Sequence, residues 1–256
     1  MHPKHTTIAI FRALMVPAVL LAAPLARAAD TNASDANSAR GIVKAISEAT
    51  ITSTIGERIQ SLPFRDGQEF KADDVLVKFD CERLRADLRA AVAEHKGFEA
   101  TYQSNVTLNR LHAAGSNDVK VSRANADKSQ ATADGLQARI KECELHAPFA
   151  GRVAELDMHE FEIPSPGSPI LKIVDDKHLE VEVIVPSKWL KFLKIGLPFQ
   201  FRLQETGNSY KGTVSRISGV VDPVSQTVKV VGAPAAIDDT IRPGMSIVAQ
   251  FDTNGQ

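Results

Sequence analysis

The sequence predicts a mostly β chain of the α+β class, in which an antiparallel α-helical hairpin is inserted into a split β-sandwich and a small β-barrel follows. Three observations predict it. Two proline- and glycine-punctuated stretches of equal length, 56–80 and 151–175, share a pattern and each lack a partner sheet. Between them, residues 81–144 contain no proline and carry apolar residues at helical spacing. After them, from about 176 to 253, short alternating strands succeed one another.

The chain opens on a segment that is set apart from the fold. Lys4 and Arg12 precede an uncharged apolar stretch from Ala13 to Ala26, and Ala26-Arg27-Ala28 offers small residues at a cleavage site. This is the pattern of a secretory signal peptide, 1–28, followed by a flexible segment, 29–39. The apolar stretch, with Pro17 and Pro24, is too short to span a bilayer comfortably. Removing Lys4, Arg12 and Arg27 turns 30 basic residues into 27 against 31 acidic ones, a net of −4. A mildly acidic, exported chain without a basic cluster is not a nucleic-acid binder.

In the first stretch, "GERIQSLPFRDGQEFKADDVLVKFD", and the second, "GRVAELDMHEFEIPSPGSPILKIVD", three pairs agree at one offset: Gly56 with Gly151, Leu76 with Leu171, and Asp80 with Asp175. Arg58 and Leu62 match Arg152 and Leu156 after a one-residue slip. Neither piece buries enough apolar surface alone, so the two, as four strands each over 49–80 and 145–175, are expected to close one sandwich.

In the hairpin, Leu84, Leu88, Ala91, His95, Phe98 and Tyr102 recur at alternating spacings of four and three, a heptad seam. "AAGSND" (113–118) breaks it, with Gly115 as the stop and Asn117 or Asp118 as the next N-cap. A second helix to about Glu142 has the weaker seam Val121, Ala124, Lys128, Ala131, Gly135 and Ala138. Cys81 and Cys143, the chain's two cysteines, fall at the base of this hairpin. In an exported protein they predict a disulfide, two buried free thiols being the alternative.

Downstream, "HLEVEVIVP", "FQFRL", "YKGTVSRIS", "VDPVSQTVKVVG" and "IRPGMSIVAQFD" read as barrel strands, and "SKWLKFLKIGLP" as a short helix whose Trp189 packs onto the barrel. "GIVKAIS" (41–47) alternates too, so the barrel is expected over 40–48 and 176–253.

"LPFRDGQEFKADDVLVKFD", "LHAPFAGRV", "SPGSPILKIVDDKHLEVEVIVP", "VDPVSQTVKV" and "IRPGM", in this order from Gly41 to Phe251, resemble the periplasmic adaptor subunits of tripartite efflux pumps, also called membrane fusion proteins of the HlyD-like family. The resemblance implies a split lipoyl/biotinyl-like sandwich. It further implies a periplasmic location beside the envelope membranes and self-association into a ring. The implied role is linking an inner-membrane transporter to an outer-membrane channel, with Leu111, His112, Gly115, Asn117, Asp118 and Val121 of the hairpin tip as the outer interface. The barrel, with Trp189 and the Arg242-Pro243-Gly244 turn, would face the transporter or a neighbouring adaptor. Two departures stand out. The membrane-proximal domain of most members is expected to be missing. Of the Arg, Leu and Ser that adaptors often carry at the tip, only the Leu is matched, by Leu111, with Thr107 and Asp118 in the other places. The alternative is an adaptor of a two-part or metal-efflux assembly that does not dock an outer channel.

Other functions fit less well. A swinging-arm carrier needs a lysine on a tight turn joining the sandwich halves, where this chain has its hairpin. Seven histidines are scattered, and the best polar cluster, His159-Glu160 with Glu162, sits in a predicted turn without a third partner. No GxSxG, HExxH or phosphate-cradling loop occurs, so no catalytic residue, cofactor or enzyme activity is expected. Outside the signal only Met158 and Met245 remain, too few for a copper-handling site, and no metal site is expected.

Overall fold

The structure, a computed structural model, describes residues 37–251; the expected signal peptide and most of the segment after it lie outside these residues. The strands are β1 (Ser38–Ala45), β2 (Glu48–Thr52), β3 (Ile59–Ser61), β4 (Glu69–Phe70), β5 (Val75–Phe79), β6 (Glu144–His146), β7 (Gly151–Leu156), β8 (Pro169–Val174), β9 (Leu179–Pro186), β10 (Pro198–Leu203), β11 (Ser209–Asp222), β12 (Thr227–Pro234) and β13 (Ser246–Phe251). Helices α1 (Glu82–Arg110) and α2 (Ser116–Lys141) fall between β5 and β6.

Six strands close a barrel in the order β1-β13-β10-β11-β12-β9. Their alternation dictates it. Along β9, Leu179, Val181, Val183 and Val185 point inward while Glu180, Glu182 and Ile184 point out. Phe199, Phe201 and Leu203 of β10 do the same, and Phe199 stacks on Phe251 of β13 with ring centroids 5.1 Å apart. "GIVKA" of the expected strand lies in β1, which begins earlier, at Ser38 within the segment expected to be flexible, and joins β9 to β13. The short helix is a single 3-10 turn, Ser187–Lys191, and its buried Trp189 lies 5.7 Å from Phe251.

The other seven strands form two sheets, β2-β8-β7-β4 and β3-β5-β6. Each sheet takes strands from both sequence repeats, so neither repeat makes a sheet of its own. A constant offset of 94 residues relates the two. Gly67 N–H donates to Val153 O and Val153 N–H to Gln68 O; in the copy, Phe161 N–H donates to Ile59 O and Ile59 N–H to Glu162 O. Asp66 Oδ1 accepts the N–H of Leu156 at 2.8 Å, and Glu160 Oε1 accepts that of Leu62 at 3.0 Å. Ile59 pairs with Phe79 as Val153 pairs with Ile173.

Two expectations are corrected here. Arg58/Arg152 and Leu62/Leu156 are true counterparts at this offset, whereas Gly56/Gly151, Leu76/Leu171 and Asp80/Asp175 are each one residue out of register. Both apolar strands are buried along consecutive residues, Leu76-Val77 and Ile170-Leu171, so a slip of one leaves the hydrophobic match intact and goes unnoticed. The second repeat also has three strands, not four. Residues 161–162 take the fourth place through two backbone bonds to Ile59, but Pro164 and Pro166 supply no N–H to extend the ladder.

The helices lie side by side: His95 Nδ1 is 3.1 Å from Ala126 O and 3.2 Å from Ser129 Oγ, and Asn105 Nδ2 donates to Asp118 O. The α1 seam runs as its spacing predicts, with Leu84 and Ala91 buried and Leu88, His95, Phe98 and Tyr102 half-buried. That of α2 does not. Val121, Ala124, Lys128, Ala131, Gly135 and Ala138 are all exposed, and α1 is met instead by Ser122, Ala126, Ser129 and Ala133. The serines are tolerated there because Ser122 Oγ donates to Asp118 O and Ser129 Oγ to Ala126 O, both at 2.8 Å, which leaves Ser129 Oγ to meet His95 Nδ1 across the seam.

Candidate partner interface

The tip is built by local hydrogen bonding. Helix α1 ends at Arg110, and His112, at φ 59, takes the left-handed place that closes it, with Ala113 N–H returning to Leu108 O. Asn109 Nδ2 donates to Ala114 O at 2.8 Å. Gly115 is therefore not the stop; it is the N-cap of α2, and neither Asn117 nor Asp118 holds that position. Asp118, third residue of α2, reaches back to accept the Gly115 N–H at 3.0 Å, which also sets a negative charge at the helix's positive end.

The six predicted tip residues come together at this end, and all are exposed, Leu111 by 70% and Val121 by 52%. Leu108, which the sequence did not single out, joins them at 42%. The tip thus carries three aliphatic side chains without cover, next to a groove lined by Phe98, Thr101, Asn105 and Val121.

At the other end, Cys81 and Cys143 form a disulfide, Cα atoms 6.2 Å apart, within the sandwich core beside Leu84. Ion pairs surround this base: Arg83 to Glu57 at 3.0 Å, Lys78 to Glu144 at 3.3 Å and Arg58 to Asp80 at 2.8 Å. The hydrogen bond from Arg58, then the backbone N–H of Glu82, hold the Asp80 carboxyl below its ordinary range.

The outer edges of the helix pair are the feature that sequence reading missed. On α1, the face turned from α2 presents Ala86, Ala90, Ala93, Gly97, Ala100 and Ser104, all exposed. On α2 the misread seam, Val121 to Ala138, forms the corresponding outer edge. Small residues at heptad spacing let a further helix approach closely. The α1 edge was legible: it lies two positions on from each seam residue.

Arg242-Pro243-Gly244 overhangs the outer face of the four-stranded sheet, forming a cleft of about 720 Å³ with Glu48, Arg152 and Lys172. His159, Glu160 and Glu162 lie in the turn that copies Arg65-Asp66-Gly67-Gln68: His159 N–H donates to Glu162 Oε2 as Arg65 N–H donates to Gln68 Oε1. Their carboxylates build a turn. Among the described residues no three His, Cys, Asp or Glu side chains gather to hold a metal, and no helix is long and apolar enough to cross a membrane.

No protein-family model matches the chain. The nodulation protein NolF of Rhizobium meliloti is 25% identical over 231 residues, covering 84% of this chain and 63% of that protein. The multidrug resistance protein MdtA of Pectobacterium carotovorum is 22% identical over 230 residues, covering 81% of this chain and 56% of that protein. The chain thus spans between about half and two thirds of the length of these curated relatives. Among solved structures, the membrane fusion protein Spr0693 of Streptococcus pneumoniae superposes with a TM-score of 0.70 at 15% identity, over 84% of this chain and 98% of that one. With its closed barrel, two sheets and helix pair, the chain has the fold of the membrane fusion proteins, the periplasmic adaptors that its motifs resemble.

Proposed function

We propose that this protein is a periplasmic adaptor of an efflux complex, exported to the space between the membranes and joining an inner-membrane transporter to an outer-membrane channel. It works by binding, without chemistry of its own. In this reading the lipoyl-like sandwich comprises 49–80 and 145–175, the antiparallel helical hairpin 81–144, and the barrel 40–48 and 176–253. The observation that carries it is the helix pair: an arm about 43 Å long at 1.5 Å per residue, held at its base by a disulfide and bearing uncovered aliphatic side chains at its tip. The small-residue outer edges support side-by-side packing of arms from several copies into a ring, α1 of one against α2 of the next.

A specific observation favours a second reading, a two-part assembly without outer-channel docking, among whose cargoes a metal ion is one. Thr107 Oγ1 donates to Gln103 O of its own helix at 3.0 Å, and the Asp118 carboxylate is engaged by Gly115. Of the three expected docking positions, Leu111 alone is left free for a channel.

Affinity purification of the tagged mature protein from cross-linked envelopes, with partners identified by mass spectrometry, tests both. A transporter recovered together with an outer-membrane channel supports the first reading. A transporter alone supports the second, and no membrane protein at all removes the adaptor role.

A further inference from the structure

Phe161 sits where its counterpart in the other repeat is Gly67. Both residues adopt the left-handed conformation, φ 73 and φ 78, and both turns are closed by the same bonds. Glycine carries no penalty there, whereas a bulky side chain is a rare outlier in that region. The turn itself therefore does not call for a phenylalanine. Nor does the core: Phe161 and Ile163 are each 68% exposed. A strained residue that holds an apolar ring out to water points to a contact with something else.

The charges around it narrow the choice. Arg65 stands 3.8 Å from Glu160, so Glu162, whose Oε2 accepts the His159 N–H at 3.3 Å and whose carboxylate stands 3.6 Å from the exposed His159 ring, is the negative group at the crest without a Lys or Arg partner among the described residues. Across the molecule, the cleft under Arg242-Pro243-Gly244 has the complementary character. Its floor includes Ala154 and Val174, Pro243 forms a wall, and its volume of about 720 Å³ has room for a phenyl ring and an isoleucine. Arg152 and Lys172 of the cleft already meet carboxylates of their own. Arg242 has none within ion-pair distance among the described residues, its guanidinium donating to its own Ile241 carbonyl.

We propose that the Phe161–Ile163 crest of one copy plugs the Arg242 cleft of a second copy, with Glu162 paired to Arg242. The proposal rests on the ring reading above. The crest borders the three-stranded sheet and the cleft lies on the outer face of the four-stranded one, so the two patches are different surfaces and the contact can repeat head-to-tail from copy to copy, as a ring requires.

The test places the photo-crosslinking residue p-benzoylphenylalanine at position 161 of the full chain, and separately at Ala131 on the outer edge of α2. Irradiated envelopes are then analysed by mass spectrometry. From position 161, adducts are expected between two copies, within peptides containing 48–50, 152–154 or 242–244. Arg242→Glu should cut their yield roughly tenfold, as loss of a close interfacial charge pair does, and Glu162→Lys in the same chain should restore it. That rescue also shows that Arg242→Glu still folds. Adducts from Ala131 but none from 161, adducts from 161 mapping elsewhere, or a yield indifferent to Arg242→Glu would each overturn the plug while leaving the ring. No adduct between copies from either position would overturn both.

Discussion

Replacing Cys81 and Cys143 by alanine removes a cross-link between residues 62 apart in sequence, both almost wholly buried. In the chain-entropy account, a bridge closing a loop of that length stabilises by about 4 kcal/mol at 25 °C. Urea unfolding slopes are about 2 kcal/mol per molar for domains of ordinary size, so the midpoint should fall by about 2 M. The assay is urea unfolding of the mature protein followed by far-UV circular dichroism, run on the oxidised protein, the reduced protein and the double variant. Reduction alone isolates the chain entropy, since no atoms leave the core except through opening of the bridge. The double variant should lose somewhat more, because two buried sulfurs are removed as well. A fall of less than about 0.5 M in both would refute the reasoning. It would mean that α1 and α2 already hold these ends together in the unfolded chain, so the bridge has little entropy left to remove.

Two further outcomes follow from particular contacts. Gly151→Val should destabilise the protein by about 3 kcal/mol, read from the same unfolding curves, because a Cβ there runs into the carbonyl oxygen of Val174 on the paired strand. A loss below about 1 kcal/mol would show that β7 and β8 can separate cheaply. Glu182 lies 2.8 Å from Lys229 and 3.6 Å from Lys44. The hydrogen bond from Lys229 holds its carboxyl below the ordinary range against the opposing effect of burial, and Lys44 adds to the lowering. A carboxyl depressed in the folded state contributes stability above its unfolded pKa of about 4.3, and that stability is lost as pH falls through the folded value. Melting temperature measured against pH should therefore fall less steeply in Glu182→Gln than in the parent below that point. Parallel curves would assign the acid sensitivity to other groups.

The barrel was legible because β1, β9, β10 and β13 each have one face in the core and one in water, so period-two alternation writes those strands directly. The α1 seam was legible for the same reason at helical period. Its partner was not, since Ser122 and Ser129 read as polar while their hydroxyl protons go to carbonyls of their own helix. The outward-facing alanines of α2 then took the place of a seam. Gly115 was misassigned because glycine is a common helix stop, yet His112 closes α1 and leaves Gly115 free to open α2. The repeat was visible but its register was not, because strands buried on consecutive residues lose the alternation that fixes register. Phe161 stayed hidden, since its oddness lies in a dihedral angle and shows only against Gly67.

The disulfide's position has one more consequence. Past the base, where Arg83 and Leu84 still meet the sandwich, the β-sheets see the arm only as a pair of chain ends held 6.2 Å apart. What lies beyond them is a matter of length, which the sandwich does not register. Seven residues added to each helix would keep both seams in phase and carry the tip about 10 Å further out. The arm can thus be cut to measure, like the leg of a drafting compass, against whatever gap it has to cross.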